Sequence, residues 1–279
     1  MRKKQKQKAP QSALETLLLV LLAALTLVPL FLVVQNSFKS RFYISGDPFA
    51  LPNKETFVAL ENYIGGLSAG GFFAAFGRSL LITVVSVGLI VLCTSMAAWY
   101  LMRVRTALTK GMYYLFVFSM IVPFQMVMYT MTYLVGRAKL NTVLGMPFIY
   151  LGFGAGLSVF MLCGFIRGIP RELEEAATID GCTRLQALFR VILPLALPGI
   201  GTAFGLSFFS GWGQYLYPML LTRSAQYTPV TVGISRLIDN QTPWEMVMTG
   251  TIISIIPAVI IYLMVQKSLI KGMSAGAVK

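Results

Sequence analysis

Long apolar runs separated by short polar stretches dominate this chain, and six of them approach the roughly 20 residues that a helix needs to cross hydrocarbon. They cover about 15–36, 78–101, 112–134, 142–166, 192–221 and 246–267. With no water at that depth, each backbone N–H and C=O must pair within its own segment, so the runs predict helices. The alternating ten-residue strands of a membrane barrel do not occur in the pattern. The fold class that follows is an all-α integral membrane protein of six transmembrane helices, with a short helix pair in the polar loop between the fourth and fifth. In chain order the segments are a basic tail (1–14), a first helix (15–36), an outer loop rich in Gly, Pro and aromatics (37–74), a five-helix module (75–268) whose polar loop spans about 168–191, and a tail (269–279).

Composition removes the soluble alternative. Hydrophobic residues make up 56% of the 279, charged residues only 12%, and mean hydropathy is +0.73. A soluble domain carries roughly 25% charged residues, so this chain could not cover a soluble surface. The net charge of +13 arises from 23 Lys and Arg against 10 Asp and Glu. These cations sit between the apolar runs rather than on one solvated face, which argues against nucleic acid. Threading six helices places 15 of the 23 on the side of the N-terminal tail, among them Arg2, Lys3, Arg103, Arg105, Arg167 and Arg184. Cytoplasmic loops carry the cation excess, so both termini are expected in the cytoplasm. The first apolar stretch continues to Val34, too long for a signal peptide, and reads as an uncleaved helix.

Several chemistries are missing. There is no His, and Cys93, Cys163 and Cys182 fit no metal or redox spacing, so no metal site is expected. The cores of the six runs hold no Asp, Glu, Lys or Arg; Glu15, Arg78 and Glu245 stand only at their ends. Gradient-driven porters commonly use a carboxylate at that depth, so that mechanism loses weight. No GxxxxGK[ST] phosphate cradle occurs, hence uphill transport would draw its energy from another subunit. Trp99, Tyr100, Tyr113, Tyr114, Trp244 and Tyr262 fall near span boundaries, as an interfacial belt would. Pro29, Pro123 and Pro257 lie inside predicted helices and are expected to bend them. Gly201 and Gly205 form a GxxxG pair that would admit a second helix closely.

The polar loop holds four of the ten acids: Glu172, Glu174, Glu175 and Asp180. Pro170 suits a first helical position, and acids in the first turn complement the helix dipole. Leu173, Ala176, Ala177 and Asp180 share a face, and Gly181 permits a left-handed stop. A second short helix then puts Leu185, Leu188 and Phe189 on one stripe. Such a helix pair can dock in a partner's groove or lie on lipid.

Glu175-Ala176-Ala177, then Gly181, then Val191-Ile192-Leu193-Pro194 resembles the EAA loop of binding-protein-dependent ABC importer permeases, with Val191 where Ile is usual. The resemblance covers about 75–268, the type-1 membrane module. Gly272-Met-Ser-Ala-Gly-Ala-Val-Lys279 and Asn62-Tyr63 are similar to features of carbohydrate-importer permeases of the maltose-transporter type.

That resemblance implies a bacterial inner-membrane subunit, itself not an enzyme and without a cofactor. It implies a second permease, two ATPase subunits carrying ATP and Mg, and an extracytoplasmic solute-binding protein delivering sugar. Glu175 would pair with the ATPase, Ala176 and Ala177 would pack in its groove, and Gly181 would make the turn. Asp180, Leu185 and Leu188 complete the expected coupling surface. Near Trp212-Gly213-Gln214-Tyr215-Leu216-Tyr217 the group often has Trp-Asn followed by an acid, a departure here. Trp212, Gln214, Tyr215 and Tyr217 are the candidates for the sugar path, by aromatic faces and hydrogen bonds. Alternatives are an ABC permease for a non-sugar solute and a membrane-embedded lipid enzyme.

Overall fold

A computed structural model describes residues 13–69, 71–222, 224–238 and 242–277. The basic run from Arg2 to Lys8, Arg223, and Val278 with Lys279, which entered the charge and tail arguments, lie outside the described residues. Contacts divide the chain into two units: Met1–Gly70 with Ile238–Ile253, and Gly71–Leu237 with Ser254–Lys279.

In the first unit α1 (Ala13–Ser37) is long enough to cross a bilayer, and its most apolar stretch is 0% buried. Such an all-round apolar surface suits lipid or another membrane helix. The end of α1 turns polar, and Gln35, Asn36 and Ser37 are buried. They open a compact knot that includes α2 (Arg41–Gly46) and α3 (Glu61–Ala69). The amides of Gln35 and Asn36 both donate to the Pro48 carbonyl at 2.9 Å, and Lys39, only 1% exposed, donates its Nζ to the Asp47 carbonyl at 3.0 Å. Asn62 donates to the carbonyls of Ser37 and Lys39, both at 2.8 Å; the Tyr63 hydroxyl lies 2.7 Å from Ser37 Oγ. Asn62 and Tyr63 therefore hold the outer loop to the end of α1.

The second unit starts with α4 (Phe72–Arg103), α5 (Ala107–Ile121), α6 (Phe124–Arg137) and α7 (Met146–Arg167). It continues with α8 (Glu172–Ile179), α9 (Arg184–Ala187), a π-helical turn (Leu188–Ile192), α10 (Leu193–Leu195) and α11 (Leu197–Trp212). Then come α12 (Leu216–Leu221), α13 (Val230–Ser235) and the later part of α14 (Trp244–Ala277). Helices α4 and α7 form the centre, with α5 and α11 packed on them. Small residues make this closeness possible. A Cβ on Gly156 of α7 would stand 2.7 Å from the Phe116 carbonyl of α5, and one on Gly205 of α11 would stand 2.9 Å from Val265 of α14. The GxxxG pair thus receives α14. On α4 the buried hydroxyls of Ser86 and Thr94 are satisfied within the helix, donating to the Ile82 and Ile90 carbonyls, whereas buried Ser95 Oγ finds no partner among the described residues.

Four helices, α1, α4, α7 and α14, are unbroken candidate spans, and two bent pairs bring the number to as many as six. The run drawn as 112–134 is broken at Val122-Pro123, where α5 and α6 turn by 102°. Pro123 lacks an N–H and forces an extended residue ahead of it, so the helix cannot continue there. Pro29 and Pro257, by contrast, stand inside helices that continue past them. The run drawn as 192–221 is not one helix either. It bends by 78° ahead of α11, which carries Pro198 in its first turn, and stops at Trp212; Leu216–Leu221 is a separate element.

Candidate functional site

Local rules build the elbow that follows α7. Pro170 stands just ahead of the α8 N-cap, Arg171, rather than in the first turn as expected. Glu172, Glu174 and Glu175 occupy that turn, beside the free N–H groups that favour anions. The helix ends in a Schellman motif: Cys182 N–H donates to the Ala177 carbonyl at 2.9 Å and Gly181 N–H to that of Thr178 at 3.0 Å. Gly181 has φ +85°, which a side chain would strain. A capping box then starts α9, with Thr183 N–H donating to Gln186 Oε1 at 2.8 Å and Gln186 N–H to Thr183 Oγ1 at 3.3 Å.

The coupling candidates divide into two groups. Glu175, Ala176, Asp180, Gly181 and Leu185 are exposed, together with Ile179, Phe189 and Leu173. Ala177 and Leu188 are buried within this chain, and Leu188 packs in a cluster with Leu162, Ile166, Ile192 and Leu101. Neither offers a surface to a partner, which corrects the expected stripe. The physical reason is that Leu188 lies about 60° round the helix from Leu185 and about 100° from Phe189, beside buried Ala187, so this edge of the stripe turns into the bundle.

Glu174, which the sequence argument passed over, anchors the elbow. One carboxylate oxygen pairs with Arg103 Nε, and Trp99 Nε1 donates to the other at 3.1 Å. Arg103 Nη2 donates to the Ile169 carbonyl at 3.1 Å, and Arg171 Nη2 donates to the carbonyls of Met102 and Arg103 at 3.2 and 3.3 Å. Trp99 thus has a specific partner, beyond its place near a span boundary. No motif signalled this link; its only trace in sequence was two adjacent acids in one short helix.

Deeper in the bundle, α4, α7 and α11, with Gln214 and Tyr217 beyond them, line a partly open cavity of about 110 Å³. Ser86, Tyr150, Ser158, Ser207, Ser210, Gln214 and Tyr217 supply its polar walls, and no Asp, Glu, Lys or Arg is among its described walls. Ser158 and Ser207 hydroxyls lie 3.3 Å apart, and the Tyr217 ring sits 4.3 Å from Phe124 and 5.0 Å from Phe153. Of the path candidates, Gln214 and Tyr217 line this cavity. Trp212 does not: it is buried, stacks on Phe208 at 5.9 Å and donates Nε1 to the Ser254 carbonyl of α14 at 2.8 Å. That contact set is packing, since the indole N–H is already used. Tyr215 is exposed and is not among the cavity walls. The serines were missed because a lone hydroxyl in an apolar run looks neutral until helices bring several together.

A family described as "Binding-protein-dependent transport system inner membrane component" matches residues 90–275. The chain is 35% identical over 270 residues to the "Probable starch degradation products transport system permease protein" of Thermoanaerobacterium thermosulfurigenes, covering 96% of this chain and 97% of that one. It is 29% identical over 268 residues to a trehalose/maltose transport system permease protein of Thermococcus litoralis, covering 93% and 94%. In fold it is similar to a chain from a bacterial ABC transporter involved in the import of the acidic polysaccharide alginate. That likeness has a TM-score of 0.76 at 23% identity and covers 94% of this chain and 99% of that one.

Proposed function

We infer, from the premise that this chain belongs to the binding-protein-dependent transport system inner membrane components, that it is one membrane half of an ATP-driven importer for a neutral sugar or oligosaccharide. The chain is a transport component rather than an enzyme. The observation that carries the coupling half of this reading is the exposed elbow, where Glu175 and Asp180 stand beside the bare apolar side chains of Ile179, Leu185 and Phe189. Apolar side chains of that size, rimmed by carboxylates, fit a protein groove that carries a cation. Two ATPase subunits holding ATP and Mg dock there, in the cytoplasm of a bacterial cell whose inner membrane the chain spans. A second permease and an extracytoplasmic binding protein complete the machine.

The sugar half rests on the cavity together with the names of the relatives. Hydroxyls, one amide and aromatic faces are the groups that hold a saccharide, and the lack of charge favours a neutral one. The cavity is partly open, and in this reading the second permease supplies the wall that faces it.

The test is Glu175→Ala in the assembled transporter with its binding protein. Membrane insertion is expected to stay normal while the ATPase subunits elute separately from the permease and sugar uptake is lost. Wild-type uptake by this variant would refute the role given to Glu175. A panel of loaded binding proteins, scored by stimulation of ATP hydrolysis, tests the sugar: stimulation by acidic or amino-acid ligands alone would refute that half.

A further inference from the structure

We propose that Glu174, Arg103 and Trp99 form a clamp that makes α4 the lever between the elbow and the cavity. The idea rests on the transport reading above and adds the route by which motion travels. Trp99 and Arg103 are one turn apart, on one face of the last part of α4, and both reach the same carboxylate of α8. Arg171, the N-cap of α8, closes the junction from the other direction by donating to carbonyls at the end of α4, which have no partner inside the helix. The Arg103 and Glu174 side chains are 12% and 18% exposed, so water replaces their contact poorly.

Further along the same helix, Ser86 and Ile90 form part of the cavity wall. Trp99 lies 13 residues from Ser86, about 20 Å along an α-helix. Helix α4 is continuous from Phe72 to Arg103 and contains no proline, so a displacement at its end moves that wall. The elbow is also joined through the chain to α7 and α11. The clamp is the link that brings in α4 and synchronises all three cavity-forming helices. Adjacent acids thus divide the work: Glu175 faces outward to a partner and Glu174 faces inward to the lever.

The experiment uses the complete transporter in liposomes with its binding protein, and measures both solute uptake and ATP hydrolysis. In Glu174→Gln the ATPase subunits should stay bound and basal hydrolysis should persist. Solute moved per ATP should fall by about ten- to a hundredfold, the factor carried by a charge-assisted hydrogen bond. Trp99→Phe, which removes only the N–H donor, should reduce that ratio by about three- to tenfold. Arg103→Gln added to Glu174→Gln should cause little further loss, because paired residues are not additive. An unchanged ratio in Glu174→Gln overturns the clamp, and so does an additive double variant. If Glu174→Gln does not assemble, Trp99→Phe decides, and a wild-type ratio there overturns the proposal. Failure of the transport reading looks different, because the wild-type complex itself would then show no hydrolysis stimulated by loaded binding protein.

Discussion

Helix α7 carries glycines whose surroundings predict opposite effects of a single added methyl group. At Gly156 a Cβ would stand 2.7 Å from the Phe116 carbonyl oxygen and 2.6 Å from Ser119 Oγ, two atoms hydrogen bonded to each other. At Gly152 and Gly164 nothing lies within 4 Å of the same position. Ordinary contacts begin near 3.4 Å, so Gly156→Ala obliges α5 to withdraw by about 0.7 Å. Overpacking of this kind costs about 1–3 kcal/mol, against about 1 kcal/mol gained from better helix propensity. The net expectation is a loss of up to about 2 kcal/mol at Gly156 and a gain of about 0.5–1 kcal/mol at Gly152 and Gly164. Gly154→Ala should fall between them, because its Cβ meets only the end of the Ile90 side chain, which can rotate away. The assay is a heating series on the chain in detergent micelles, scored by the fraction that remains monodisperse. A midpoint for Gly156→Ala at or above that of Gly152→Ala would refute the close packing of α5 on α7.

Leu188→Ala should cost about 2–5 kcal/mol in the same assay, because it empties a fully buried site, whereas Leu185→Ala should change the midpoint little and instead weaken retention of the ATPase subunits. Orientation is checked with the protein's own thiols. A charged maleimide should label Cys182 in inside-out vesicles and spare it in right-side-out ones, before any ATPase is added. Cys163 is buried and Cys93 faces outward from the apolar length of α4, so neither should react with a reagent confined to water. Labelling of Cys182 in right-side-out vesicles would place the elbow outside the cell and refute the coupling role.

The apolar runs were legible because hydrocarbon imposes one demand, paired backbone groups, on every residue of a span. Where each helix stops was less legible. Pro123 announced a bend, but the size of the turn depends on how α6 packs beyond it. The stop after Trp212 falls at Gly213, one glycine among several in that run that helices elsewhere tolerate. At the elbow, Gly181 and Thr183 were readable because caps and left-handed stops are decided within a few residues. The division of labour between Glu174 and Glu175 was not, since it hangs on Arg103, a residue 71 positions earlier that only the folded bundle brings near. Leu188 escaped for a related reason, because it stands at the edge of the stripe and only the packed bundle shows that this edge faces Leu162 and Ile166. Trp212 illustrates the reverse error: an aromatic beside polar neighbours suggested a ligand, yet its N–H already serves the Ser254 carbonyl.

The corner between α5 and α6 has a consequence for the life of the molecule before assembly. A helix that halts within an apolar stretch releases its last carbonyls, and lipid tails offer them no donor. Ile121, Met126 and Tyr129 around the corner are all bare. Irregular backbone at that depth persists only where protein or water reaches it. A solitary copy of this chain in a bilayer is therefore an unfinished object. In the two-permease assembly proposed above, a partner that covered the corner would help complete the folding of both.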